Sequence, residues 1–137
     1  MFLTKECDYG VRIIRALSDG EKRIVESICE DEHIPGQYAY KILKKLERAG
    51  LVQGVRGRNG GYKLNKALPQ ITIFDIVTAI DSNLYVFECL RNGHKCVNNP
   101  TGTCCTVHTE LERVQQVLET EMKRNSMDIL LSDAKKL

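Results

Sequence analysis

Four thiols and two imidazoles crowd into one short stretch of the chain, at Cys89, His94, Cys96, Cys104, Cys105 and His108. Thiolate and imidazole are soft or borderline donors that select zinc, copper(I) or an iron–sulfur cluster. Six residues separate Cys89 from Cys96, eight separate Cys96 from Cys105, and two separate Cys105 from His108. That spacing is not the paired C-x2-C of a zinc ribbon. Wide loops around one object suit a cluster, which is bulkier than a single ion and takes ligands from several directions; zinc and a plain thiol sensor stay open on the same spacing. Neither a C-x2-C redox pair nor a Cys–His nucleophile context is present, so no enzymatic use of these thiols is expected. Cys7 and Cys29 lie among apolar neighbours and read as small core residues.

The segments that must position this stretch begin with a basic half. The net charge of the 137-residue chain is only +2, yet residues 1–69 carry 13 basic against 9 acidic side chains and residues 70–137 carry 7 against 9. Between Lys41 and Lys66 stand Lys41, Lys44, Lys45, Arg48, Arg56, Arg58, Lys63 and Lys66 with Glu47 as the single acid. Clustered positive charge of this kind attracts polyphosphate backbones.

Helical periodicity places a first helix through Tyr9, Val11, Ile13, Ile14 and Leu17, stopped by Ser18-Asp19-Gly20. A second, shorter helix fits Val25 to Asp31 and is broken at His33-Ile34-Pro35-Gly36. The third, from about Gln37 to Ala49, has Tyr38, Ile42, Leu43 and Leu46 on one stripe and its lysines elsewhere, with Gly50 as a left-handed stop. Two helices joined by a tight turn, the second one basic, form a helix-turn-helix. The period then changes. Leu51 to Val55 and Tyr62 to Leu64 flank Arg56-Gly57-Arg58-Asn59-Gly60-Gly61, which predicts a β-hairpin wing with an arginine-bearing tip. A phosphate loop of an NTPase is excluded, because Tyr62-Lys63-Leu64 stands where Lys-Ser/Thr would be required.

Thr72-Ile73-Phe74-Asp75 has the form of a capping box opening a helix through Ile80, expected to pack under the wing. From Asp81 to Cys105 the periodicity dissolves into loop material around a short apolar patch at Leu84 to Phe87. Near Thr106 a long helix starts, with Val107, Leu111, Val114, Leu118 and Met122 at steps of four, three, four and four, a seam that calls for a partner helix. A further short helix is expected between Ser126 and Leu137. The fold class expected is thus mainly α with a small β-hairpin. It divides into a winged helix-turn-helix DNA-binding domain over 1–82, a cysteine-bearing sensor loop over 83–105, and a dimerisation helix with a C-terminal tail over 106–137.

The motifs Leu3-Thr4-Lys5, Asp8 to Arg12, Ala49 to Val52, Val55 to Leu64 with its Arg-Gly-x-x-Gly-Gly-Tyr wing, and Ile71 to Val77 resemble the regulator family that includes IscR, NsrR, RirA and CymR. The likeness runs over nearly the whole chain. It implies a homodimeric winged-helix repressor or activator acting on double-stranded DNA operators, with an iron–sulfur cluster held by loop cysteines in many members and absent from others. By position the resemblance assigns Cys89, Cys96 and Cys105 as ligands, with Cys104 as a rival for the third. His108 is assigned as the fourth, with Asp8, supplied across the dimer, as its rival. A [2Fe-2S] cluster is placed ahead of [4Fe-4S].

For DNA the matching positions are Gln37, Tyr38, Tyr40, Lys41 and Lys44 on the third helix and Arg56 and Arg58 in the wing. Gln37 and Lys41 suit base edges, whereas Tyr38 and Lys44 suit phosphates. The resulting expectation is a dimeric regulator sensing cluster status or redox stress, probed against two rivals. One is a cluster-free regulator of the same family answering to thiol oxidation or a partner protein such as a cysteine-metabolism enzyme. The other is a zinc- or thiol-dependent protein-interaction module. The N-terminal residues lack a signal peptide's apolar run and no stretch approaches the roughly 18 apolar residues of a membrane span, so a cytoplasmic protein without membrane or small-molecule substrate partners is expected.

Overall fold

A computed structural model describes residues 3–132. Helix α1 (Lys5–Ala16) starts where the Thr4 hydroxyl accepts a hydrogen bond from the Cys7 backbone N–H, satisfying one of the free donors of a helix N-terminus. Helix α2 (Val25–Glu32) ends on His33, whose φ of +54° takes the left-handed position usually left to glycine. Pro35 then caps α3 (Gly36–Arg48). Helix α3 buries Ala39, Ile42, Leu43 and Leu46, and Gly50 at φ +75° turns the chain into the hairpin. The stripe read from sequence therefore holds, save that Tyr38 lies on its margin and is 39% exposed.

Strands β1 (Val52–Val55) and β2 (Gly61–Leu64) pair antiparallel with Val52 opposite Leu64 and Val55 opposite Gly61. A second attachment was not legible in sequence: Arg23, just before α2, bridges Tyr62 through two backbone hydrogen bonds of 2.9 and 2.8 Å. The wing is thereby tied on its outer edge to the entry of the helix-turn-helix.

Helix α4 (Ile73–Ile80) opens with the expected capping box, in which Thr72 N–H donates to the Asp75 carboxylate at 2.8 Å and Asp75 N–H donates to the Thr72 hydroxyl at 3.3 Å. Its packing differs from the expectation. Rather than lying under the wing, α4 packs against α1, α3 and the long helix α5 (Thr106–Lys123). Gly10 lets α4 seat closely on α1, since a Cβ there would sit 2.2 Å from Ile80 Cδ1 and 3.1 Å from Ile76 Cγ2 and would require the Ile80 side chain to shift. The hydrophobic surplus of α4 is consumed in this way, leaving the wing free to project.

After α5 the chain folds back as α6 (Met127–Ser132). Met127 N–H donates to the Ile71 carbonyl at 2.7 Å and its side chain, 1% exposed, enters the same core as Ile13, Ile28 and Leu43. The sequence division at 105/106 therefore does not separate two cores. Residues 133–137 of the anticipated last helix lie outside the described residues.

A methyl group added at position 61 would lie 2.2 Å from the Arg23 carbonyl oxygen and 2.8 Å from its carbon, both backbone atoms. Gly61→Ala is expected to break the wing attachment and to destabilise the fold by about 1–3 kcal/mol, read as a lowered midpoint in urea denaturation.

Candidate nucleic-acid interface and thiol pocket

Burial of the apolar stripe of α3 turns Gln37, Tyr40, Lys41, Lys44 and Arg48 outward. Tyr38 leans on Tyr9 of α1, with ring centroids 5.8 Å apart at an interplanar angle of 53°, a tilted aromatic contact that restrains it. An open groove runs between α3 and the wing. Tyr40, Lys44 and Glu47 line one side and Arg56, Gly57 and Arg58 the other, with Glu26 between. The structure thus brings Tyr40 and Lys44 together with Arg56 and Arg58, whereas Gln37, Tyr38 and Lys41 lie outside this groove. Glu47 joins the two walls: it faces Lys44 at 3.6 Å and accepts from the Gly54 backbone N–H at 3.3 Å. Lys22 donates to the Asn59 carbonyl and holds the wing tip.

Lys41 and Lys45 have a partner that sequence reading missed. Glu6, at the start of α1, accepts from Lys41 Nζ at 2.7 Å and from Lys45 Nζ at 3.0 Å. These hydrogen bonds, Lys41's first, hold the Glu6 carboxyl below its ordinary pKa, and the same carboxylate raises that of Lys41. Nothing local marks Glu6, because it lies 35 positions before Lys41.

The thiol-bearing segment 81–105 is held at both ends. Leu84 is buried, and Gln115 of α5 clamps its neighbourhood: the side-chain amide donates to the Leu84 carbonyl at 2.5 Å while its oxygen accepts from Val86 N–H at 2.9 Å. Gln115 is 8% exposed, and its side-chain nitrogen donates a second bond to Glu119, so both amide N–H groups are satisfied. At the other end Cys105 is the N-cap of α5, its sulfur facing His108 N–H at 3.5 Å.

Between these anchors lies a concavity of about 1010 Å³ lined by Cys89, His94, Cys96, Cys104, Cys105 and His108. All six donors noted in the sequence therefore share one pocket. Cys89, Cys96 and Cys105 are half-buried, Cys104 is exposed, and His108 Nε2 stands 3.4 Å from Glu112. Among the described residues no three His, Cys, Asp or Glu side chains are gathered closely enough to hold one metal ion. In kind, three thiols from separate points of the loop and an imidazole on the helix wall fit an iron–sulfur cluster, and the pocket is wide enough for a group larger than an ion. Asp8 is on the exposed face of α1 in an ion pair with Arg12 at 3.0 Å, away from the pocket lining. Cys7 is buried; Cys29 is half-buried, and burial, followed by Glu26 and Glu30, pushes its thiol up. No helix among the described residues is long and apolar enough to cross a membrane.

Comparison with known proteins agrees with this architecture. A family model described as Rrf2, iron-dependent transcriptional regulator, matches residues 3–133. The HTH-type transcriptional regulator NsrR of Geobacillus kaustophilus is 32% identical over 124 residues, covering 87% of this chain and 84% of that protein. Protein aau3 of Rhizobium meliloti is 33% identical over 134 residues, covering 96% and 85%. Among solved structures, T. potens IscR superimposes with a TM-score of 0.74 at 23% identity, covering 96% of this chain and 87% of that one. CymR of B. subtilis superimposes at 0.73 with 22% identity and 95% of each chain.

Gln115→Leu keeps the volume but leaves the Leu84 carbonyl and Val86 N–H without their partner. A loss of about 1–3 kcal/mol is expected, together with faster hydrogen exchange at the Val86 amide while amides of α3 keep their protection.

Proposed function

Because this chain belongs to the Rrf2 family of transcriptional regulators, we propose that it is a homodimeric, sequence-specific DNA-binding regulator, acting as a repressor, whose thiol pocket carries an iron–sulfur cluster and reports cluster status or redox stress. The observation that carries the DNA reading is the shared groove in which Tyr40 and Lys44 of α3 face Arg56 and Arg58 of the wing. Helix α3 enters the major groove, where Gln37 and Lys41 address base edges and Tyr38 and Lys44 the phosphates. The glycine-rich wing brings Arg56 and Arg58 to the adjacent minor groove.

Dimerisation is supported by α5. Met122 packs on the chain's own core and Leu111 and Leu118 are half-buried, but Val107 at 65%, Val114 at 37% and Val117 at 51% exposure form an apolar strip that no other described residue covers. Apolar residues repeated on one helix face suit a second copy, and symmetric dimers read paired half-sites. Each helix thus uses one face within its own subunit and offers another to the partner.

Cys89, Cys96 and Cys105 are the proposed thiolate ligands and His108 the fourth, with [2Fe-2S] preferred over [4Fe-4S]; Cys104 and the partner's carboxylate at position 8 are the alternatives. A cluster held by these residues would supply redox-active chemistry at the junction of the loop and α5. The chain's own contribution is positional: Cys105 caps α5, His108 stands on its first turn, and Gln115 ties the loop's entry two turns further along the same helix. Drawing Cys89 and Cys96 toward that turn moves the loop against α5, and through α5 against α4 and the DNA-reading helix. The signal is then a shift between dimer arrangements of unequal DNA affinity.

Arg56→Ala is expected to weaken binding to duplex DNA by about 1–3 kcal/mol at fixed salt; an unchanged affinity removes the wing from the interface. Anaerobic purification is expected to yield coloured protein containing iron and sulfide, with the colour lost in Cys96→Ala. Colourless, iron-free protein would replace the cluster by thiol oxidation or a partner protein as the signal.

A further inference from the structure

The basic face of α3 is not wholly available to a ligand, because one acid of α1 occupies it. Glu6 accepts from Lys41 and Lys45 together, at 2.7 and 3.0 Å. The two lysines are not equivalent. The Lys45 side chain is 28% exposed and its ammonium also donates to the Ile80 carbonyl, 3.1 Å away at the end of α4. Held by two acceptors and largely covered, it stays in place. The Lys41 side chain is 56% exposed and the carboxylate is its one acceptor among the described hydrogen bonds. An exposed ion pair of this kind is weak enough to exchange its partner.

We propose that Glu6 is an affinity-limiting residue: its carboxylate competes intramolecularly with DNA acceptors for the Lys41 ammonium, and Lys45 keeps it in position to do so. This rests on the reading of α3 as the DNA-facing helix. When Lys41 turns to a base edge or phosphate, Glu6 cannot follow and cannot leave, because Lys45 retains it. A negative charge then remains at the margin of a polyanion. Sequences that offer Lys41 a good acceptor recover the cost of breaking the pair, and those that do not are disfavoured, so the residue trades total affinity for discrimination.

The test measures binding of a mixed-sequence DNA duplex at several salt concentrations for the unaltered chain, Glu6→Gln and Glu6→Ala. Thermal melts establish that each variant is folded, and the alanine variant serves if the glutamine one is not. Both are expected to bind about three- to tenfold tighter, with the salt dependence steeper by about one counterion. Glu30→Gln, which removes an exposed acid on α2, controls for net charge and is expected to give a smaller gain. In a Lys41→Ala background the gain from Glu6→Gln is expected to shrink to the size of that control. Unchanged or weaker binding by folded Glu6 variants, or a gain no larger than the control, overturns the proposal while leaving DNA binding intact, provided Arg56→Ala still weakens the unaltered chain. If the unaltered chain binds no duplex even at low salt, the DNA reading fails and the proposal falls with it.

Discussion

The constraint on which the structure depends is the burial of one face of α3. Ala39, Ile42, Leu43 and Leu46 are each fully buried against a core that also holds Ile13, Ile14 and Leu17 of α1 and Ile28 of α2. Each of the larger aliphatic side chains contributes on the order of 1.5–3 kcal/mol by leaving water, and Ala39 less, and a helix has a single rotation that buries all four α3 residues at once. That rotation also decides which polar residues face outward. The surface proposed to face DNA is therefore the complement of the core, and its geometry is as firm as the packing behind it.

The second consequence concerns the wing. A two-stranded hairpin is marginal alone in water, and this one is stabilised from both ends. Val52 and Tyr62 enter the core, and the backbone of Arg23 closes the outer edge of β2. The tip between them carries its arginines with no need to pack them. Rigid flanks and a glycine-bearing tip are what a loop needs if it is to approach a nucleic-acid backbone closely.

Helix α5 links these parts to the thiol pocket by serving three neighbours. Toward α4 it presents Met122, with Lys123 stacked over the Phe74 ring at 4.1 Å. Toward the loop it presents Gln115, Cys105 and His108. Its remaining apolar strip has no partner within the described chain. A change in how the loop grips the first turn of α5 is thus mechanically connected to α4, which itself packs on α1 and α3. The contact of Lys45 with the Ile80 carbonyl adds a polar link at the point where α4 gives way to the loop.

Much of this was legible in the amino-acid order, and for a physical reason. Helix stripes, the Thr72–Asp75 capping box, the turn at Gly50 and the hairpin around Gly57 depend on residues within a few positions of each other, so local periodicity and turn chemistry determine them. The six sulfur and imidazole donors were likewise visible as a group because the loop keeps them close along the chain. Tertiary structure alone decided the pairings between distant residues: Glu6 with Lys41, Arg23 with Tyr62, Gln115 with Leu84 and Val86, Ile71 with Met127, and the seat of α4 against Gly10. These carry no periodicity and no fixed spacing. They exist only once the core has set the relative placement of the helices, which is why an acid at position 6 reads as ordinary surface charge until the fold brings it to the lysines of α3.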